Sequence, residues 1–186
     1  LIWLIMTFII GLCGLIVAYY LLPHVTKRID QFLDPSSSNP LQELYQVTKS
    51  LSAFSNGGLF GKGPGEGIIK KNVPDAHADF VFAVAGEEFG LILCLIIVAL
   101  YAILVLRFLT KSVGNNSLFV ILAATGLSLQ FGLQAFINMA STLHLIPTKG
   151  MTLPFMSYGG SSLIAVSITT GMILALTRKR HGFHDL

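Results

Sequence analysis

The sequence predicts an all-α integral membrane protein with four transmembrane helices and a long extracytoplasmic loop. Its composition is the first reason: the 186 residues are 53% hydrophobic and only 11% charged, whereas soluble domains carry about 25% charged residues. Apolar runs of membrane-spanning length are the second reason. The formal net charge of +3 is too diffuse to indicate binding to nucleic acid.

The first predicted span is residues 1–22, a run without any charged side chain. At a rise of about 1.5 Å per residue it would be roughly 33 Å long, enough to cross a hydrocarbon core of about 30 Å. The other predicted spans are residues 80–106, 117–140 and 161–177. Because the chain opens inside an apolar run without Met or a basic segment, we expect part of a longer protein and no signal peptide.

Basic residues predict the orientation of these spans. The turn at residues 107–116 and the tail at residues 178–186 share clustered cations, namely Arg107, Lys111, Arg178, Lys179 and Arg180. The positive-inside rule places such connections in the cytoplasm. The connections at residues 23–79 and 141–160 are therefore predicted to be extracytoplasmic.

The long outer loop is itself rich in basic residues: Lys27, Arg28, Lys49, Lys62, Lys70 and Lys71. Long loops cross the membrane largely regardless of charge, so these residues do not contradict the orientation. They could be solvated surface, or they could bind an anionic substrate at the outer leaflet. The loop also contains SNGGLFGKGPGEG, whose glycines would let backbone N–H groups approach an anion. Its spacing fits neither a Walker loop nor a Rossmann fingerprint.

The stretch VPDAHADF, residues 73–80, places acidic and imidazole side chains at the start of the second span. Asp79 stands where a helix N-cap is expected, so capping is one role for it and catalysis is another. Asp75 and Asp79 could face one substrate if the helical turn begins early. His77 could be a base, a metal ligand or a structural residue, since one histidine among irregularly spaced carboxylates is weak evidence for zinc.

Two further acids, Glu87 and Glu88, fall inside the predicted second span. They would lie about 12 Å further along a continuous helix, where a carboxylate is a sign of function. Helical spacing puts Glu87 nearer to the face of Asp79 and puts Glu88 on the opposite face. In the third span, Gln130, Gln134 and Asn138 share one face, which predicts hydrogen bonds between helices.

Two stretches, PDAHADFVFAVAGEEFG and TKGMTLPFMSYGGSS, resemble the signature stretches of the SEDS family, which comprises FtsW, RodA and SpoVE. The segments RIDQFLDP, YQVTKSLSAFSNGGLFGKG and LQAFINMA match further family segments in the same order. The resemblance covers nearly the whole chain and implies the last four spans of a ten-span fold. LIPTKGMTLPF is similar to the cell-division branch, because the elongation branch more often lacks Thr148-Lys149-Gly150.

The resemblance implies an activity and a place in the cell. Members of the family polymerise lipid II into peptidoglycan at the outer face of the bacterial cytoplasmic (inner) membrane, beside a class B penicillin-binding transpeptidase. The cell-division branch does so at the septum with other divisome proteins. The family's essential acid matches Asp79, within Pro74-Asp75-Ala76-His77-Ala78-Asp79, where the common pattern is Pro-Glu-Ala-His-Thr-Asp. The departures keep the proposed base and leave the role of Asp75 open.

Polymerisation with inversion at the sugar needs one carboxylate to take the proton of the acceptor hydroxyl. It also needs cations to stabilise the undecaprenyl diphosphate that leaves. Asp79 is the predicted base, and a divalent cation, Mg²⁺ or Mn²⁺, could assist the leaving group. The candidate substrate-binding residues are Lys62, Lys149, Lys27, Arg28, His77, Asp75, Glu87 and Ser157.

Two other functions remain open on the sequence. A lipid II flippase would also need outward loops and intramembrane acids, but a transporter binds its substrate near the membrane midplane, whereas Asp79 is predicted at the outer surface. A divisome scaffold without activity would make Asp79 dispensable. In each case the membrane lipid surrounds the spans.

Overall fold

The computed structural model describes residues 2–33, 43–67, 78–113, 117–147 and 150–178. Within these ranges the protein has no strand and consists of α1 (Ile2–Leu21), α2 (Pro23–Leu33), α3 (Glu43–Gly57), α4 (Val81–Val113), α5 (Leu118–Thr142) and α6 (Gly160–Thr177). The predicted all-α class is confirmed. The chain forms two compact units, Leu1–Tyr45 and Gln46–Leu186.

The first unit contains α1 and α2, which pack against each other. None of the 20 residues of α1 is charged, and Trp3 and Phe8 are among its exposed side chains, as suits a helix that faces lipid. Pro23 begins α2, a position where the missing N–H of proline has no intrahelical partner to lose. The Tyr19 hydroxyl donates a hydrogen bond to Asp30 Oδ1 at 2.9 Å and so links the two helices.

Membrane-spanning length is reached by α4, α5 and α6, the three helices of the described ranges that are long and apolar enough to cross a bilayer. In α1 the apolar stretch Ile5–Leu21 is shorter. The protein is therefore an all-helical membrane protein, and the crossing of the membrane by α1 stays a prediction. The predicted outer loop contains α2 and α3, so the described part of this connection is largely helical.

Helix α4 bends sharply at Gly90, whose φ of 76° and ψ of −175° are not helical. Glycine adopts a positive φ without steric cost. A Cβ on Gly86 would lie 3.4 Å from the Cys94 sulfur, although residues eight apart in a straight helix are about 12 Å apart. The straight second span assumed above is wrong, so the depth of Glu87 in the membrane does not follow from its distance along the chain. The 23 residues after the bend alone extend about 34 Å, enough to cross a bilayer.

The bend in α4 is filled by the glycine loop, defined here as residues 57–67. The Lys62 N–H donates to the Glu87 carbonyl at 3.1 Å, and the Leu91 N–H donates to the Gly58 carbonyl at 2.9 Å. A break in a helix leaves backbone groups on both sides without intrahelical partners, and the loop supplies these partners. The Lys62 N–H is thus used within the protein and does not cradle an anion.

The close fit of the glycine loop depends on residues without side chains. A Cβ on Gly57 would lie 2.8 Å from the Glu87 Cα, and a Cβ on Gly61 would overlap the Glu88 carbonyl oxygen. Real Cβ atoms do not approach backbone this closely. The glycines of this loop therefore allow backbone-to-backbone packing against α4.

Helices α4 and α5 are antiparallel neighbours. Val98 and Met139 line the same groove as Leu106 and Leu129, so residue numbers rise along α4 where they fall along α5. Gly132 brings the two backbones close, since a Cβ there would lie 3.0 Å from a side chain of α4. Helix α6 packs on both α5 and α4 and completes the bundle.

We expect the end of the bundle that carries the α5–α6 connection to face outward. Cysteine in place of Leu145 or Glu66, both exposed, should react with a membrane-impermeant maleimide in intact cells. Cysteine in place of exposed Ser117 should react only after permeabilisation. The background is Cys13→Ser, because Cys13 is exposed whereas Cys94 is buried. Reaction at position 117 in intact cells would reverse the proposed orientation.

Candidate functional site

Asp79 lies in a turn directly before α4, with its side chain half-buried. The N–H groups of Ala83 and Val84 donate to the Phe80 carbonyl at 2.9 and 3.2 Å. Phe80 therefore takes the N-cap position, which the sequence analysis assigned to Asp79. The acid stands one residue outside the helix, at the junction with the preceding loop.

Asn138, near the end of α5, joins Asp79 to the loop that precedes α6. It is fully buried, and its Nδ2 donates to the Asp79 carbonyl at 3.0 Å and to the Met151 carbonyl at 2.6 Å. One turn earlier on the same face, Gln134 donates to the Thr152 carbonyl at 3.0 Å. The prediction of hydrogen bonds between helices is wrong for both amides, because they bind loop carbonyls. The role of Asn138 was missed, although the shared polar face was visible in the sequence.

Gly150 lies beside the Asp79 carboxylate. A Cβ on Gly150 would be 3.2 Å from Asp79 Oδ2 and 3.9 Å from Oδ1. The glycine thus keeps the space next to the carboxylate clear of a side chain. The two signature stretches meet at this contact, one through its acid and the other through its glycine.

The loop of residues 150–157 is anchored along its length. Leu153 and Pro154 are buried, and the Tyr101 hydroxyl of α4 donates to the Pro154 carbonyl. The Leu153 N–H donates to Ser157 Oγ at 2.8 Å. Ser157, a predicted substrate-binding residue, is buried and shapes this turn, and its contact with substrate stays a prediction.

Glu87 is fully buried and lies in α4, three residues before the bend at Gly90. Asn56 Nδ2, at the end of α3, donates to Glu87 Oε1 at 3.0 Å. The carboxylate thus links α3 to α4. This contact does not test whether Glu87 shares a cavity with Asp79 and binds substrate. Both roles stay predictions.

The predicted cations fall into different parts of the chain. Lys62 is exposed on the glycine loop, and Lys27 is exposed on α2 in the first unit. Four other candidates have side chains outside the described part of the structure, namely Arg28, Asp75, His77 and Lys149. Their roles stay predictions.

A metal site is not formed by the described residues alone, among which no group of three His, Cys, Asp or Glu side chains could hold a metal ion. Asp75 and His77 lie outside that part of the chain. The Asp79 carboxylate is the kind of oxygen ligand that Mg²⁺ or Mn²⁺ binds. The predicted divalent cation therefore stays a prediction.

Comparison with known proteins decides the family. The family model FTSW_RODA_SPOVE, described as a cell cycle protein, matches residues 1–182. The chain belongs to the FtsW/RodA/SpoVE family. The resemblance found in the sequence is thus confirmed.

Two members of the FtsW/RodA/SpoVE family illustrate the similarity. A probable peptidoglycan glycosyltransferase FtsW of Caulobacter vibrioides is 49% identical over 173 residues, which cover 93% of this chain and 43% of that protein. The peptidoglycan glycosyltransferase RodA of Mycobacterium tuberculosis is 39% identical over 180 residues, 97% of this chain and 37% of that protein. The chain spans less than half the length of these curated relatives.

A solved structure of a peptidoglycan synthase complex, described in terms of coordinated polymerization and crosslinking, contains a similar chain. The TM-score is 0.73 at 29% sequence identity, over 96% of this chain and 49% of the solved one. The helical architecture described above therefore recurs in that solved chain.

Proposed function

We propose that the protein is a peptidoglycan glycosyltransferase of cell division, which polymerises lipid II into glycan strands with Asp79 as the general base. The observation that carries the proposal is the position of Asp79. The acid of one signature stretch lies beside Gly150 of the other, and both stretches are bound to Asn138. Relatives named peptidoglycan glycosyltransferases support the reaction class.

The chemistry requires one base at the sugar acceptor. The acceptor hydroxyl oxygen attacks the anomeric carbon of the lipid-linked sugar, and the Asp79 carboxylate takes the hydroxyl proton. The bond from the anomeric carbon to the diphosphate oxygen breaks, and undecaprenyl diphosphate leaves with both electrons of that bond. A single displacement of this kind inverts the configuration. A diphosphate leaves without a general acid, unlike the alcohol of an ordinary glycoside.

The leaving diphosphate needs cations around it. Lys149 is a candidate on sequence grounds, because it directly precedes Gly150, the residue beside the Asp79 carboxylate. Lys62, Lys27 and Arg28 are further candidates, and Mg²⁺ or Mn²⁺ could supplement them. Asp75, His77, Glu87 and Ser157 are proposed to contact the sugar or to shape its site.

The proposed setting is the division septum, with a class B penicillin-binding transpeptidase and other divisome proteins as partners. The 49% identity with the FtsW described above supports the division branch. The solved peptidoglycan synthase complex supports a partner that crosslinks the strands.

Lipid II transport is the second candidate function, and one observation favours it. Helix α4 is broken at Gly90, next to buried Glu87, and discontinuous helices with buried polar groups are typical of transporter binding sites. The glycine loop fills this break with backbone contacts, which leaves the Asp79 site as the stronger candidate.

The decisive experiment is synthesis of glycan strands from lipid II by the purified full-length protein with its transpeptidase partner in proteoliposomes. We expect glycan polymer to form in these proteoliposomes and no polymer to form in vesicles without the protein. Movement of lipid II between leaflets is measured in the same vesicles with a headgroup-modifying reagent. Movement of lipid II without any polymer would overturn the proposal and favour transport.

A further inference from the structure

We propose that Asn138 is a positioning residue for the reaction: it fixes the Asp79 carboxylate for proton transfer by holding the main chain of the two connections that meet there. The inference rests on the proposed role of Asp79 as general base. It extends that role to a residue on a different helix, 59 positions away in the sequence.

The hydrogen bonds of Asn138 are unusual in what they join. An amide nitrogen has two hydrogens to donate, and here it donates to Asp79 and to Met151, which precede two different helices. Both acceptors are carbonyl oxygens, so the nitrogen must face them, and the orientation of the amide is set by chemistry. One side chain thus uses its full donor capacity to hold the two connections together.

The two bound carbonyls belong to the two connections that meet at the Asp79 carboxylate. The Asp79 carbonyl belongs to the residue that carries the carboxylate. Met151 directly follows Gly150, and a Cβ on Gly150 would lie 3.2 Å from Asp79 Oδ2. Movement of Asn138 would therefore shift the carboxylate relative to the space beside it. A misplacement of about 1 Å in a reacting group can cost about 10²-fold in rate.

The oxygen of the same amide is left without a partner among the described residues. In the described part of the protein, Asn138 Oδ1 is buried and accepts no hydrogen bond. An unpaired buried acceptor destabilises a fold, and it calls for an explanation in a native structure. The two donated hydrogen bonds explain why an amide occupies this position. Only the amide nitrogen supplies both N–H groups, and the amide necessarily contains Oδ1 as well.

The test is Asn138→Ala in the full-length protein with its partner, with kcat and KM for lipid II measured separately. We expect kcat to fall by about 10–100-fold and KM to change by less than about threefold. The matched control is Gln134→Ala, which removes a hydrogen bond to the same loop but none to Asp79, and should retain kcat within about threefold. An equal loss of kcat in both variants would assign the effect to the loop and overturn the inference.

A double variant separates positioning from a general structural role. If Asn138 acts through Asp79, Asn138→Ala should cost nothing further in an Asp79→Asn background, because residues that act as a unit are not additive. A full additional loss in that background overturns the inference and leaves Asp79 as the base. A normal rate in Asp79→Asn alone would instead refute the proposed function.

A second substitution covers the case in which Asn138→Ala does not fold. Asn138→Gln keeps the amide and both N–H groups but moves them by one methylene. Thermal unfolding in detergent identifies the variants that remain folded. A lower kcat at unchanged KM in Asn138→Gln supports positioning, and an unchanged kcat overturns it.

Discussion

Replacing Asp79 with Asn should lower the rate of lipid II polymerisation by about 10²–10⁴-fold, the usual cost of losing a general base. The amide has the shape of the carboxylate but cannot take the acceptor proton. A purely structural role, in which the side chain only accepts hydrogen bonds beside the start of α4, would make the same change nearly harmless, because the Asn oxygen accepts them too. The measurement is the rate of glycan-strand synthesis by the full-length protein with its partner.

The control for Asp79→Asn is Glu66→Gln, which removes one exposed carboxylate from the glycine loop without touching the site. It should polymerise at the wild-type rate. Folding and partner binding are compared for both variants. A rate near that of the wild type in Asp79→Asn would remove Asp79 from the chemistry.

The second large effect is expected on stability: Gly61→Ala should destabilise the protein by about 2–5 kcal/mol, the sum of overpacking and left-handed strain. Gly61 has φ 81°, and a Cβ there would lie 2.5 Å from the Phe89 Cα. Its other close neighbours are also backbone atoms of α4, so no side chain can rotate away. Thermal unfolding of the purified protein in detergent should show a transition several degrees lower.

Gly65→Ala is the matched control for this prediction. Gly65 has a similar φ of 86°, but a Cβ there would meet nothing within 4 Å. Its substitution should cost about 1–2 kcal/mol, the strain alone. The difference between the two variants measures the packing of the glycine loop on α4, and equal unfolding temperatures would show that this packing is absent.

The sequence predicted the helical membrane class, because that class depends on local signals. Long apolar runs determine spans, whereas Asp79 was singled out from Asp75 and His77 by the resemblance of its stretch to the family signature, and its role stays a prediction. The bend at Gly90 was not predicted: the spacing of Gly86 and Gly90 also fits a straight helix that packs closely on a neighbour. Gly86 packs closely on Phe54 of α3, whereas Gly90 forms the bend and packs on the backbone of the glycine loop.

Asn138 shows a second limit of sequence reasoning. Its spacing from Gln134 placed both amides on one face of α5, which was correct, but the partners of that face could not be deduced. Hydrogen-bond partners 13 and 59 residues away are set by how connections fold over the bundle. Helical periodicity describes one element at a time and contains no information on such contacts.

The hydrogen bond from the Lys62 N–H to the Glu87 carbonyl also closes a loop in the chain. In polymer terms, residues 62–87, which include Asp79, form a loop whose two ends are joined. The first residues of α4 belong to this loop. Each doubling of the length of a closed loop costs only about 0.6 kcal/mol of entropy. Added residues in the segment that leads to the proposed base would therefore cost little entropy, while the two joined ends stay fixed.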